Sequence, residues 1–355
     1  MKKVFILFTL IGISLQVQAL PKLYLYIASN YMADETIADF KQRCNADLVQ
    51  NYFGDPTEME AKIIAGATGY DVIVGTGYVI QDLDHVGKLA TINLASIKDS
   101  INNLDPKFMG LPFDPKNNYS IPYAYTVTMV GYNKDKLASL GIVPNSWNVI
   151  FDESILKKLN GKVSVFDSSR NVISAALLYL GKDPNSDKPE DLNQAFKLIS
   201  KASKYWQKYD STTYYRALLN GELLVAMSYS SDLYKTIQDG KASNSKIHLA
   251  GMLQKEGNML EIDNIVLPKS SKNSKLAYCF IDTVLRPQNA AYLANDTGST
   301  VPNRKGVPLV DPSVTKINWI YPPANAKVYS FTAYTPATRN MVNAKWIELK
   351  MNCGK

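Results

Sequence analysis

The chain has 355 residues, 46% hydrophobic and 20% charged, with 19 Gly and 17 Pro spread along it, which excludes a disordered, collagen-like or coiled-coil protein. Three Cys exclude a disulfide scaffold, two His (His85 and His248) exclude a multi-histidine metal site, and the net charge of +7 is dispersed rather than gathered in runs, which argues against nucleic-acid binding. The length exceeds what one core ordinarily supports, so two lobes are expected.

Met1-Lys2-Lys3 is a basic start, Val4 to Leu15 an apolar run, and Val17-Gln18-Ala19 a small-residue cleavage site. This is the layout of a secretory signal peptide over 1–19. The apolar run is about a dozen residues, short of the roughly 20 that span a bilayer, and no Cys follows the cut to carry a lipid. Export to the periplasm without membrane insertion is the expectation. Among the cysteines, Cys279 sits in the apolar run Leu276–Ile281 and reads as a small core residue, which leaves Cys44 and Cys353 as the candidate pair.

Lys22 to Ile27 is β-rich and is followed by Ala28-Ser29-Asn30 and a helical stretch from Asp34 to Arg43. Strand patterns recur at Leu48–Phe53, Tyr70–Val74, Val163–Phe166, Leu223–Tyr229 and Ile262–Leu267, and helical patterns at Thr57–Ala65, Asn171–Leu180 and Lys275–Leu285. Ser230-Ser231-Asp232 opens a further helix with good capping residues. Short strands alternating with helices predict α/β lobes with mostly parallel sheets. In such sheets the ligand crevice lies beyond the strands' carboxyl ends, which selects Ala28–Tyr31, Gly75–Tyr78, Asp167–Asn171 and Tyr229–Asp232.

Catalytic motifs are missing. The chain lacks a Gly-x-Ser-x-Gly elbow, a Walker loop and His-Glu-x-x-His, and Gly75-Thr76-Gly77 has Ile80 where a dinucleotide fingerprint needs Gly. No enzyme activity and no cofactor are expected. The positive signal is aromatic: 22 Tyr, with Tyr31, Tyr78, Tyr229 and Tyr234 near strand ends. Tyr214-Tyr215 raises iron binding through phenolates as a minor option, weakened because the pair precedes a strand.

End to end, from Leu20 to Lys355, the chain resembles the periplasmic polyamine-binding proteins of ABC importers, most closely the putrescine branch. The resemblance rests on ordered segments that include Ala65–Asp71, Asn103-Leu104-Asp105-Pro106, Tyr119–Tyr123, Tyr179–Ser186, Lys255-Glu256-Gly257, Leu285-Arg286-Pro287 and Ile320–Pro323. It implies a type II-like periplasmic binding protein, two α/β lobes joined by hinges with a ligand cleft between them. Lobe 1 is expected over 20–130 and 257–300 and lobe 2 over 131–256 and 301–355, with crossings near Val130, Glu256 and Val301. The implied partners are a small amine ligand and an inner-membrane ABC permease, with no nucleic acid and a monomer as the expected working state.

Residue by residue, the family's first loop keeps Ser29 and Tyr31 here, while its Trp is Ala28 and its carboxylate Asn30. Thr76 and Tyr78 match the second loop. The third-loop carboxylates become Ser168 and Asn171, the Trp after the buried strand becomes Tyr229, and Asp232 is retained. The aromatic-x-Asp pair becomes Glu261-Ile262-Asp263, and a late Tyr becomes Ser299. Residues two apart in a strand share a face, so Glu261 is expected to reach the cleft with Asp263. The lost Trp and carboxylates lead to the expectation of a changed guest: a bulkier amine, a monoamine, or a zwitterion whose carboxylate meets Ser168, Ser169 or Arg170. Sensing rather than uptake is the alternative role.

Overall fold

The computed structural model describes residues 19–352 apart from positions 30 and 55. Of the expected signal segment only Ala19 is described, and Cys353 and Asn30 lie outside the described residues.

Among the described residues ten strands form a single sheet: β1 (Lys22–Ala28), β2 (Asp47–Phe53), β3 (Val72–Thr76), β4 (Ile121–Asn133), β5 (Val163–Val165), β6 (Lys208–Tyr209), β7 (Val225–Tyr229), β8 (Leu249–Met252), β9 (Asn258–Val266) and β10 (Val328–Ser330). Their order is β2-β1-β3-β9-β4-β7-β5-β6, with β10 beside β9 and β8 beside β4. The flanks are parallel, as the alternating pattern predicts: β1 with β2 and β3, and β5 with β6 and β7. The centre is antiparallel, because β9 runs against both β3 and β4. Sequence periodicity missed β4, whose 13 residues are all buried and so show no polar alternation.

Two main cores flank this centre. Leu23, Leu25, Ile27, Val74, Ile121, Ala124, Ile265 and Phe280 belong to the first; Val127, Met129, Val130, Phe166, Val225, Leu233 and Met259 belong to the second. β4 therefore passes from one core to the other around Tyr125–Thr126, and β9 between Met259 and Ile265. The third passage falls between Ile320, in the first core, and Phe331, in the second. Core packing thus groups Val301, Val310 and Val314 with the first core, whereas the sequence division assigned 301–355 to the second lobe.

The disulfide is a correction. Cys44 is bonded to Cys279, not left for Cys353. The helices Asp34–Cys44 and Ser274–Val284 lie side by side, with Phe40 edge-on to Phe280 at 5.8 Å and Arg43 paired to Asp282 at 3.0 Å. That packing brings the two Cα atoms to 6.0 Å, within disulfide reach. The apolar run around Cys279 marked a packed segment but carried no information about which helix faces it. No helix among the described residues is long and apolar enough to cross a membrane.

Candidate functional site

The passages of β4 and β9 make the floor of a cavity of about 330 Å³. Asp263 pairs in register with Thr76 of β3 and Ala124 of β4, and Glu261 pairs with Thr126. Glu261 and Asp263 both line this cavity, as their two-residue spacing predicts. Ser29, Tyr31, Phe53 and Thr76, from the ends of β1, β2 and β3, form one side of the walls; Tyr229, Asp232, Ser211 and Tyr215 form the other.

Two of the acids are held alike. The Tyr31 hydroxyl donates to Asp263 Oδ2 at 2.7 Å, and Tyr31 is itself fixed by Tyr123, whose hydroxyl donates to the Tyr31 carbonyl at 2.7 Å. On the opposite side the Tyr214 hydroxyl donates to Asp232 Oδ2 at 2.8 Å and accepts from the Tyr229 backbone N–H at 3.0 Å. Burial pushes the Asp263 carboxyl up to about 7 and the Asp232 carboxyl up to about 6, although each phenol hydrogen bond pulls the other way. Burial and the neighbouring carboxylate drive both phenols well above their ordinary value, so they remain protonated donors. Each carboxylate keeps part of its surface toward the cavity. The arrangement is two acids with one oxygen fixed and the charge costly, a site that gains from a cation.

Other sequence candidates stand around this frame. Asn171 is buried behind Tyr229: its amide donates to the Tyr229 hydroxyl at 3.4 Å and to Ser168 Oγ at 3.3 Å, and its carbonyl accepts from Thr128 Oγ1 at 2.8 Å. Tyr78 faces a neighbouring recess with Phe113 and Phe331, which shares Thr76 and Glu261 with the main cavity. Ser299 is fully buried, with its hydroxyl 2.8 Å from that of Thr297, and it is Thr297 that lines the cavity. Arg170, an expected partner for a guest carboxylate, instead donates to Asn185 Oδ1 at 2.6 Å and to the Thr332 carbonyl at 2.8 Å, and stacks on Tyr334 at 3.8 Å.

Sequence reasoning missed several wall residues. Phe53 is the register partner of Ala28, so a ring from β2 stands beside the position where β1 has only a methyl. Tyr214, weighed only as an iron ligand, is the donor that fixes Asp232. Lys235, Thr236 and Asp239 follow Asp232 at helical spacing on Ser230–Ala242, and that periodicity was the available signal. The Thr76 hydroxyl, buried and lining the cavity, has no hydrogen-bond partner among the described residues, nor does that of Ser211.

The family model described as bacterial extracellular solute-binding protein matches residues 35–318. The chain belongs to this family. A putrescine/cadaverine-binding protein of Pseudomonas aeruginosa is 37% identical over 353 residues, covering 99% of each chain. The putrescine-binding periplasmic protein PotF of Escherichia coli is 30% identical, covering 92% of this chain and 91% of its own. The solved spermidine/putrescine ABC transporter substrate-binding protein PotD of Streptococcus pneumoniae superposes with a TM-score of 0.78 at 22% identity, covering 94% and 99% of the two chains, a likeness of fold. The type II periplasmic binding-protein architecture expected from sequence is therefore the architecture of this solute-binding protein.

Proposed function

We propose that this solute-binding protein captures a short aliphatic diamine of the putrescine or cadaverine class and delivers it to an ABC permease in the inner membrane. One observation carries the reading: Asp263 and Asp232, each fixed by a phenol and each made costly by burial, face one cavity from the two sides of the sheet's crossing strands. A diamine brings one ammonium to each, with the partnerless hydroxyls of Thr76 and Ser211 as further acceptors. Phe53, Tyr215 and Tyr229 offer rings to the methylenes and to the cations, worth about 0.5–2 kcal/mol per cation–π contact. The names of the relatives support the same class.

The expectation of a changed guest rested on the lost Trp and carboxylates. Glu261 brings one back into the cavity, and Arg170 does not line it, which leaves a zwitterion's carboxylate without that anchor. In this reading the regions around the two cores act as lobes parted at 125–126, 260–263 and 321–330. A guest touching both stabilises the closed form, which the permease recognises. The signal segment directs export, and cleavage after Ala19 releases the mature chain into the periplasm.

Calorimetric titration of the purified protein with putrescine and cadaverine tests the reading. Micromolar or tighter binding of at least one is expected; absence of binding by both up to millimolar concentration overturns it.

A further inference from the structure

We infer that Arg216 and Lys235 set the length of amine the cleft accepts, admitting diamines and turning away triamines. The inference rests on the diamine reading above and goes beyond it by assigning a selectivity filter at the cavity mouth.

Asp232, Lys235 and Asp239 recur along one face of the helix Ser230–Ala242 and all line the cavity. At 1.5 Å per residue the seven positions from Asp232 to Asp239 span about 10 Å. Asp232, in the first turn, is tied to buried Tyr214; Asp239, two turns on, is exposed. The row therefore runs from the interior to the mouth, with Lys235 between. The Lys235 ammonium lies 3.8 Å from Asp239 and 3.7 Å from Asp296. Those outer acids are the groups that would otherwise hold a third ammonium, and Lys235 lies between them and offsets one of their two charges. Arg216, exposed on the short helix Tyr214–Leu219, lines the same cavity and has no carboxylate within ion-pair distance among the described residues.

A diamine places its two charges on Asp263 and Asp232 and ends there. A triamine that fills the same two positions carries its third ammonium toward the mouth, where Lys235 and Arg216 balance Asp239 and Asp296 and leave no net negative charge to hold it. The mouth is solvated, so the like-charge penalty is screened rather than prohibitive. A triamine affinity about tenfold below that of the best diamine is the scale expected for charges at this separation in such a medium.

The test is titration of the full mature protein with cadaverine, putrescine and spermidine, repeated for Lys235→Gln, Arg216→Gln and the double variant, with the triamine-to-diamine Kd ratio as readout. Wild type should show a ratio of about ten or more, and the double variant should narrow it at least about threefold. Should the variants fold poorly, wild type alone still decides. Raising salt from 50 to 500 mM must narrow the ratio if the third ammonium is repelled and widen it if mouth acids attract it. Equal or tighter triamine binding by wild type, an unchanged ratio in every variant, or a ratio that widens with salt overturns the filter. If wild type binds no diamine at all, the capture reading falls first and the filter with it.

Discussion

Tyr31 and Asp263 stand 232 positions apart in the chain and 2.7 Å apart in space, joined by a phenol that donates to the carboxylate. The bond does two things. It fixes one carboxylate oxygen so that the other is left for a guest, and it partly offsets the desolvation that otherwise drives the acid toward its neutral form. Because Tyr214 treats Asp232 the same way from the other side, the cavity holds two poised acids rather than two neutralised ones.

Removing that donor should be felt through the proton. Tyr31→Phe deletes the hydrogen bond that favours the charged carboxylate, so the Asp263 pKa moves further up from about 7 and protons compete harder with an amine. Hydrogen bonds to charged groups are worth roughly 1.5–3 kcal/mol, so diamine affinity at pH 7 should fall about tenfold or more. The loss should shrink toward pH 9, where Asp263 is ionised in both proteins. An affinity deficit that stays constant from pH 6 to 9 would show that Tyr31 acts only by shape.

Stability of the unliganded protein should depend on pH in the opposite sense to a salt-bridged acid. Unfolded carboxylates titrate near about 4, whereas Asp232 and Asp263 titrate at about 6 and about 7 when folded. Between those limits the folded state binds protons that the unfolded chain has released. Their contribution is therefore unfavourable above about 7 and is relieved as pH falls toward 4. Replacing Asp263 by Asn removes one such group. At pH 8 the variant should melt above wild type without ligand, yet lose at least about a hundredfold in diamine affinity, the usual scale for breaking a buried ion pair. Thermal melts from pH 5 to 8, with and without saturating cadaverine, check both halves. A lower melting temperature for the variant at pH 8 would refute the account.

The disulfide can be separated from the site. Cys44 and Cys279 enclose a sequence separation of 235 residues, and closing so long a loop restricts the unfolded chain strongly. Chain-entropy reasoning puts the effect at the top of the usual range, about 5 kcal/mol. Reduction, or Cys44→Ser with Cys279→Ser, should lower the melting temperature by several degrees while leaving diamine affinity within a factor of about two, since neither cysteine lines the cavity. An affinity loss comparable to that of the cavity variants would mean that the pairing of the two helices shapes the cleft.

The sequence made the lobed α/β architecture legible because strands with edges and helices with one apolar face leave periodic traces. The resemblance pointed to Asp232 and Asp263, and the two-residue spacing of a strand pointed to Glu261; all three line the cavity. β4 escaped because every one of its residues is buried, which erases the alternation. Tyr214 and Phe53 escaped for another reason: their roles depend on which side chain faces them across the fold, and a phenol or a ring in an apolar stretch looks the same whether it packs or donates. The Cys44–Cys279 bond and the grouping of Val301 to Ile320 with the first core are likewise pairings between distant segments, and periodicity within a segment does not encode them.

Asn171 is where the loss of an acid has a structural reason. The Thr128 hydroxyl lies 2.8 Å from Asn171 Oδ1 and 3.3 Å from Glu261 Oε1, and it has one proton to give. A carboxylate at 171 beside the carboxylate at 261 would put two like charges around a single buried donor, and one of them would have to take up a proton. We propose that the charge expected at 171 from the resemblance is carried here on β9, by Glu261. Asn171→Glu alone should therefore destabilise the protein at pH 8 and less so at pH 5, where the extra proton is supplied. Glu261→Gln alone should weaken diamine binding by about tenfold or more, because the cavity loses an acid. The double variant, with the acid back at 171 and none at 261, should regain much of the stability and affinity that the single changes cost. A coupling of about 1–3 kcal/mol between the two positions is expected from a double-mutant cycle read by thermal melts and calorimetry. Strictly additive effects would show that Asn171 and Glu261 do not share the charge, and that the acid at 261 serves some purpose other than replacing one at 171.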